Sequence, residues 1–144
     1  MVTVTRSVKI SRPAGDVYAF VSNYENDLIW RENVVEMEQT PRNVSDVGTT
    51  TREVLKSFGM NVETTAEVTG CEPGRRIDFR STSGPVPVTG FRQVEADDSG
   101  ATFTYHLEME PAGVYRLLAP MMSRSFNEQV DKDLDKLKVV LEGE

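Results

Sequence analysis

Near the end of the chain, Val130, Leu134, Leu137 and Leu141 recur at spacings of four, three and four, and Phe126 stands four residues before them. At about 100° per residue these positions fall within one narrow stripe, which predicts a helix with a single buried face. Glu128, Asp131, Lys132, Asp133, Asp135, Lys136 and Lys138 are then expected on the solvated opposite face. Upstream, Val114, Leu117, Leu118, Met121 and Met122 do not continue the stripe but spread over a wider, rotated arc, and Pro120 stands where the phase changes. A proline within a helix removes a hydrogen bond and kinks or restarts it. The stretch 113–141 therefore reads as two segments, a core-packing half and a preceding half that offers bulky, soft apolar groups to something else.

The rest of the chain must supply a surface for that stripe, and it reads mostly as strands. Val2, Val4, Val8 and Ile10 share one parity, interrupted by Arg6, as in a strand with one buried face. Ser11-Arg12-Pro13 reads as a helix start with proline in the first turn, followed by a short helix carrying Val17, Phe20 and Val21, and a second short segment reaching Trp30. From Val34 the period becomes two. Val35, Met37 and Gln39 form one parity of a strand ended by Pro41. The stretch 49–58 is rich in β-branched residues, and Gly59 predicts a hairpin tip into Met60, Val62, Thr64, Ala66 and Val68. Turns are expected at Glu72-Pro73-Gly74, at Ser83-Gly84-Pro85 and at 97–100, with strands over 76–81 and 86–95 between them. Ala101, Phe103, Tyr105, Leu107 and Met109 make the cleanest one-sided strand, leaving His106 on the outward parity. Strand, two short helices, about six antiparallel strands and a long helix amount to an α+β layer arrangement in which one helix covers one face of a sheet.

Composition narrows the function classes. The 144 residues are read as a single domain over 1–144, large enough for a core. A formal charge of -7 argues against nucleic acid as a partner, because phosphate contacts need concentrated Lys and Arg. One cysteine, Cys71, excludes an internal disulfide, and one histidine, His106, excludes a His-rich metal site. Neither a metal nor a cofactor is expected. The alternating start MVTVTRSVKI is not the continuous apolar run of a secretory signal, and no apolar run approaches the roughly 20 residues of a membrane span. A cytoplasmic protein without stable membrane insertion, monomeric or homodimeric, is the expectation.

The order of several stretches resembles the START-like, or SRPBCC, superfamily, and within it the polyketide cyclase/dehydrase-type branch of small bacterial proteins. The residues that carry the likeness are Val8-Lys9-Ile10-Ser11-Arg12-Pro13 with Val17-Tyr18-Ala19-Phe20, the stretch 26–30, and Val47-Gly48-Thr49. They continue with Glu72-Pro73-Gly74, Phe79-Arg80-Ser81-Thr82-Ser83-Gly84-Pro85, Gly100-Ala101-Thr102-Phe103-Thr104-Tyr105, and Pro111-Ala112-Gly113 leading to Leu117-Leu118-Ala119-Pro120. The likeness spans essentially the whole chain and lies in the order of these stretches rather than in any one of them. It implies a helix-grip fold, a curved antiparallel sheet of about seven strands wrapped around a long C-terminal helix, with two short helices after the first strand. It also implies a cavity between sheet and helix that takes lipid-, polyketide- or isoprenoid-like molecules, with cyclisation or dehydration in some members.

The residues supply large adaptable groups for such a wall. Trp30, Phe58, Phe79, Phe91, Tyr105, Met121, Met122 and Phe126 are the candidate apolar lining, Gln93 shares the parity of Phe91, and the gap near Pro120 is the expected mouth. Met60 and Met109 could add to the wall or simply fill core. For catalysis the sequence offers less. His106 points outward, Cys71 has no base in reach, and no nucleophile elbow, phosphate loop or paired-ligand motif is present. The parity of Arg92 and Glu53 is open: Arg92 is either a surface residue or, with Tyr105, a pair facing a substrate carbonyl. Three functions follow: a binder of a small hydrophobic molecule, a polyketide aromatase/cyclase or dehydratase using the same cavity, and an interaction module meeting a partner through Met121 and Met122.

Overall fold

A computed structural model describes all residues except Val44, Phe58 and Glu144. Seven strands form one antiparallel sheet: β1 (Val2–Ile10), β2 (Val34–Thr40), β3 (Thr50–Ser57), β4 (Met60–Glu72), β5 (Arg76–Ser83), β6 (Val88–Asp97) and β7 (Gly100–Met109). Their spatial order is β1-β7-β6-β5-β4-β3-β2, so β2 to β7 form a meander and β1 pairs with the end of it. The connection from β1 to β2 must therefore cross from one edge to the other. It does so through α1 (Ala14–Ser22), a turn of 3-10 helix (Tyr24–Asn26) and α2 (Asp27–Trp30). After β7 come α3 (Val114–Leu117) and the long α4 (Ala119–Glu142). This is the helix-grip arrangement that the sequence leads one to expect, with the break at Pro120 realised as the start of α4.

The stripe of α4 does what its spacing requires. Val130, Leu134, Leu137 and Leu141 are buried in one cluster with Val2, Val4, Ile10, Phe103 and Trp30. Polar contacts fasten the far end of α4 to the end of β1: Lys138 Nζ donates to the Lys9 carbonyl oxygen at 2.7 Å, and Arg12 Nη1 to that of Leu141 at 2.7 Å. A smaller cluster of Tyr24, Val34, Met37, Val68 and Ile77 holds the other half of the sheet.

Two local readings change. On β2 the inward set is Val34, Met37 and Gln39, with Val35 exposed, because a register shift between Val34 and Glu36 carries an extra residue and flips the parity at the start of the strand. Pro13 occupies the cap position of α1, immediately before the helix begins, rather than a place in its first turn. At Gly90 the missing side chain matters: a Cβ there would meet the His106 carbonyl oxygen and approach Phe79 Cζ to 2.8 Å. Glycine thus leaves room for the Phe79 ring to lie across the neighbouring strand.

Candidate functional site

The curled sheet stands away from the first half of α4, and a cavity of about 440 Å³ lies between them. Alternation decides its wall, since every second residue of each strand faces inward. β4 contributes Met60, Val62, Thr64, Ala66 and Val68; β5 contributes Phe79 and Ser81; β7 contributes Tyr105, Leu107 and Met109. From the helical side come Tyr115, Leu118, Met122, Phe126, Gln129, Val130 and Asp133. Most of this surface is apolar.

A cluster of charged groups gathers around α2, while Lys56 and Glu67 line the cavity elsewhere. Arg92 is 1% exposed and Asp27 is fully buried. They form a bidentate pair, with Nη1 donating to Oδ1 at 2.9 Å and Nη2 to Oδ2 at 2.6 Å, while Nη1 also donates to the Val21 carbonyl oxygen at 2.9 Å. The rings of Tyr24, Tyr105 and Trp30 surround the guanidinium at 4.4, 5.0 and 5.3 Å. Arg31 extends the chain of charges, with Nη1 donating to Asp27 Oδ2 at 3.0 Å and to Glu53 Oε2 at 2.7 Å. Burial pulls the pKa of Arg31 down, but Glu53, Tyr105 and Asp27 outweigh it and hold it well above its ordinary value. The same opposition, with Asp27 the largest counterweight to burial, leaves Arg92 raised. From α4, at the same end, Asp133 Oδ1 accepts from the Glu32 backbone N–H at 3.1 Å and from Gln129 Nε2 at 2.9 Å. Burial pushes the Asp133 carboxyl up, against the lowering effect of these two hydrogen bonds and of Arg31. The Tyr24 hydroxyl, Trp30 Nε1 and Arg92 Nε are buried without a hydrogen-bond partner among the described residues.

Of the residues singled out from the sequence, Phe79, Tyr105, Met122 and Phe126 come together on the cavity wall. Trp30 is fully buried behind that wall, edge-on to Phe103 and Tyr105 at 6.2 and 5.9 Å between ring centroids. Met121 is 55% exposed on the outside of α4. Phe58 lies outside the described residues. Phe91 and Gln93 require a correction, because they sit on the convex face. The register pairs Arg92 with Tyr105 and Val94 with Phe103, which turns Arg92 and Val94 inward and Phe91 outward. There Phe91 stacks on the His106 ring at 4.9 Å and carries Arg76 at 3.8 Å, while Gln93 bonds to Arg76 and Glu95. The same register answers the open parities: Arg92 is a core residue, not a surface one, and Glu53 faces the cavity, opposite Met37 and Thr64.

Tyr24, Asp27, Arg31, Gln129 and Asp133 did not stand out in the sequence. Asp133, placed above on the solvated side of α4, is 5% exposed. A signal for it exists: Met122, Phe126, Gln129 and Asp133 repeat the four-three-four spacing, about 80° round the helix from the Val130 stripe. That second stripe faces the cavity.

Comparison with known proteins places this geometry. The family model described as polyketide cyclase / dehydrase and lipid transport matches residues 1–142. No curated protein matches the chain. Among solved structures, a protein from Thermus thermophilus superposes with a TM-score of 0.82 at 21% identity, covering 94% of each chain. A START superfamily protein from Mycobacterium smegmatis gives 0.79 at 14% identity, over 98% of this chain and 97% of the other. The Zhui aromatase/cyclase from Streptomyces gives 0.78 at 15% identity, over 97% and 93%. At these identities the likeness is one of fold.

Proposed function

This chain belongs to the polyketide cyclase / dehydrase and lipid transport family, and on that premise we propose that it binds a small hydrophobic molecule, lipid-, polyketide- or isoprenoid-like, between the sheet and α4. The observation that carries the reading is the cavity of about 440 Å³, a size within the roughly 300–1,000 Å³ of small-molecule sites. Its wall of Val62, Ala66, Leu107, Met109, Met122 and Phe126 offers an occupant little but apolar contact, and methionine side chains accommodate varied shapes. Phe79 and Tyr105 add aromatic surface to the wall, and Tyr115 of α3 also lines it.

The test is the binding of a neutral solvatochromic dye, Nile red, together with native mass spectrometry of the purified protein. Met122→Trp fills the cavity from α4, whereas Met121→Trp adds the same bulk outside it. We expect Met122→Trp to abolish dye binding and any co-purified adduct, and Met121→Trp to leave both. Unchanged binding in a folded Met122→Trp variant would overturn the reading.

A second reading is favoured by the ionisable groups at the α2 end. A cyclase or dehydratase needs a proton donor and a polarising group beside its substrate. Asp133, with its raised pKa, and the Arg31–Glu53 pair line the same space. Arg92, held by Asp27 and Val21, is a positioning residue at best in such a site. Asp133→Asn that keeps ligand binding but loses turnover of a poly-β-ketone substrate would establish this reading, and unaltered turnover would remove Asp133 from it.

A further inference from the structure

Resting on the reading of the cavity as a ligand site, we infer that its occupant is un-ionised and presents an oxygen that accepts a hydrogen bond from the Tyr24 hydroxyl. Three observations converge on this. First, the charges around the cavity offer an anionic ligand no net positive charge. Three cations, Arg31, Arg92 and Lys56, stand against four carboxylates, Asp27, Glu53, Glu67 and Asp133. Protonating Asp133 brings that balance to zero and never to a net positive charge. Much of both guanidiniums is also committed, Arg31 Nη1 to Asp27 and Glu53, and both Nη atoms of Arg92 to Asp27 with Nη1 also on Val21, although Arg92 Nε is left without a partner among the described residues. A ligand carboxylate at the α2 end would meet Glu53 and Asp133 there, and burying a charge that is not fully paired is the most expensive form of burial.

Second, a cation fares no better on its immediate neighbours. It would lie beside two guanidiniums, and the Asp133 oxygen nearest its partners already accepts from the Glu32 N–H and Gln129.

Third, the cavity lining contains a donor waiting for a partner. Tyr24 is 5% exposed, lines the cavity, and has a buried hydroxyl with no hydrogen bond among the described residues. Buried polar groups in folded proteins are nearly always paired, so one left over at a site wall points to a ligand atom. Burial raises the pKa of this phenol, so it keeps its proton and can donate it to a hydrogen bond. Its ring is held edge-on to Phe79 and beneath the Arg92 guanidinium, which fixes where the hydroxyl sits. The ligand class is thus an apolar body bearing a neutral hydroxyl or carbonyl, as in an alcohol, phenol or ketone, rather than a fatty acid or other carboxylate.

Three probes with one ring system separate these features: naphthalene, 2-naphthol and 2-naphthoate, each competing against Nile red at neutral pH. We expect 2-naphthol to bind at least tenfold more tightly than 2-naphthoate and more tightly than naphthalene. Tyr24→Phe should weaken 2-naphthol by roughly three- to tenfold, the worth of one hydrogen bond, and leave naphthalene unchanged. Asp133→Asn should narrow the gap between naphthol and naphthoate. If Nile red and naphthalene bind but 2-naphthoate matches 2-naphthol, the assignment of an un-ionised ligand falls while the cavity remains a binding site. Equal loss of naphthalene and naphthol in Tyr24→Phe would reduce Tyr24 to a packing role and overturn its part. If neither the dye nor any probe binds, the ligand-site reading itself fails.

Discussion

Asp27 ties two arginines together in a fully buried place. Its Oδ2 accepts from both Arg92 and Arg31, and its Oδ1 from Arg92 alone. Removing one partner of a buried ion pair leaves an uncompensated charge and costs about 3–5 kcal/mol, whereas replacing both with apolar groups is often close to neutral. Asp27→Asn is therefore expected to lower unfolding free energy by that amount in urea titrations, and Asp27→Leu with Arg92→Met to recover most of it. The exposed pair Arg124–Glu128 supplies the contrast: Glu128→Ala should stay within about 0.5 kcal/mol of the parent, because solvent already screens that pair. A small effect of Asp27→Asn would mean that the aromatic box around Arg92, rather than the carboxylate, holds the guanidinium in place.

At the scale of the element, α4 serves two surfaces with two stripes. Val130, Leu134, Leu137 and Leu141 close the core against β1 and β7, while Met122, Phe126, Gln129 and Asp133 face the cavity. Truncating the first stripe opens a void in packed surroundings. Leu137→Ala, at a fully buried position, should cost about 2–5 kcal/mol, and Val139→Ala, at a position 70% exposed, about 0.5 kcal/mol or less. Thermal unfolding of the two variants checks the pair. α3 and the start of α4 behave differently, because Leu117 is 84% exposed and Met121 55% exposed while Met122, one residue on, is buried. The helix restarts at Pro120, so a single residue step separates the outside of the molecule from the cavity.

At the scale of the whole molecule, Asp133 links stability to pH. Its carboxyl pKa is raised in the folded protein, first by burial. The folded state thus holds this proton more tightly than the unfolded chain, whose Asp titrates near 3.9. The resulting stabilisation is complete below the unfolded value and is lost as pH rises through the raised folded value. Asp133→Asn removes that dependence and keeps an oxygen to accept from Glu32 and Gln129. The variant should be more stable than the parent at neutral pH, with the difference shrinking as pH falls through the folded pKa of Asp133. Denaturation curves across that range check it, and a difference that stays constant with pH would show that Asp133 is not the titrating group. Ligand binding works on the same balance, since anything that binds only the folded state raises the unfolding temperature with its concentration.

Legibility in the sequence followed the range of the forces involved. The helix stripe from Val130 to Leu141, the restart at Pro120, the succession of hairpin-linked strands and the hairpin tip at Gly59 were all written locally, because periods of 3.6 and 2 and the turn preferences of glycine and proline act over a few residues. So was the inward set of β4, from Met60 to Val68, where one parity is apolar except at Thr64 and the other is polar throughout. β6 carried no such asymmetry: Phe91 stands on one parity and Val94 on the other, and the apolar ring was the wrong guide. Strand facing there is set by register against Tyr105 and Phe103, and by the fact that Arg92 can be buried only because Asp27, 65 residues away in sequence, comes to meet it. Asp133 likewise reads as one more charge on a charged helix face until the Glu32 backbone N–H, 101 residues away in sequence, arrives to bond it. Local periodicity determined the elements of this protein; which charges those elements could bury, and so the chemistry of the cavity, was decided by partners that only the tertiary structure brings together.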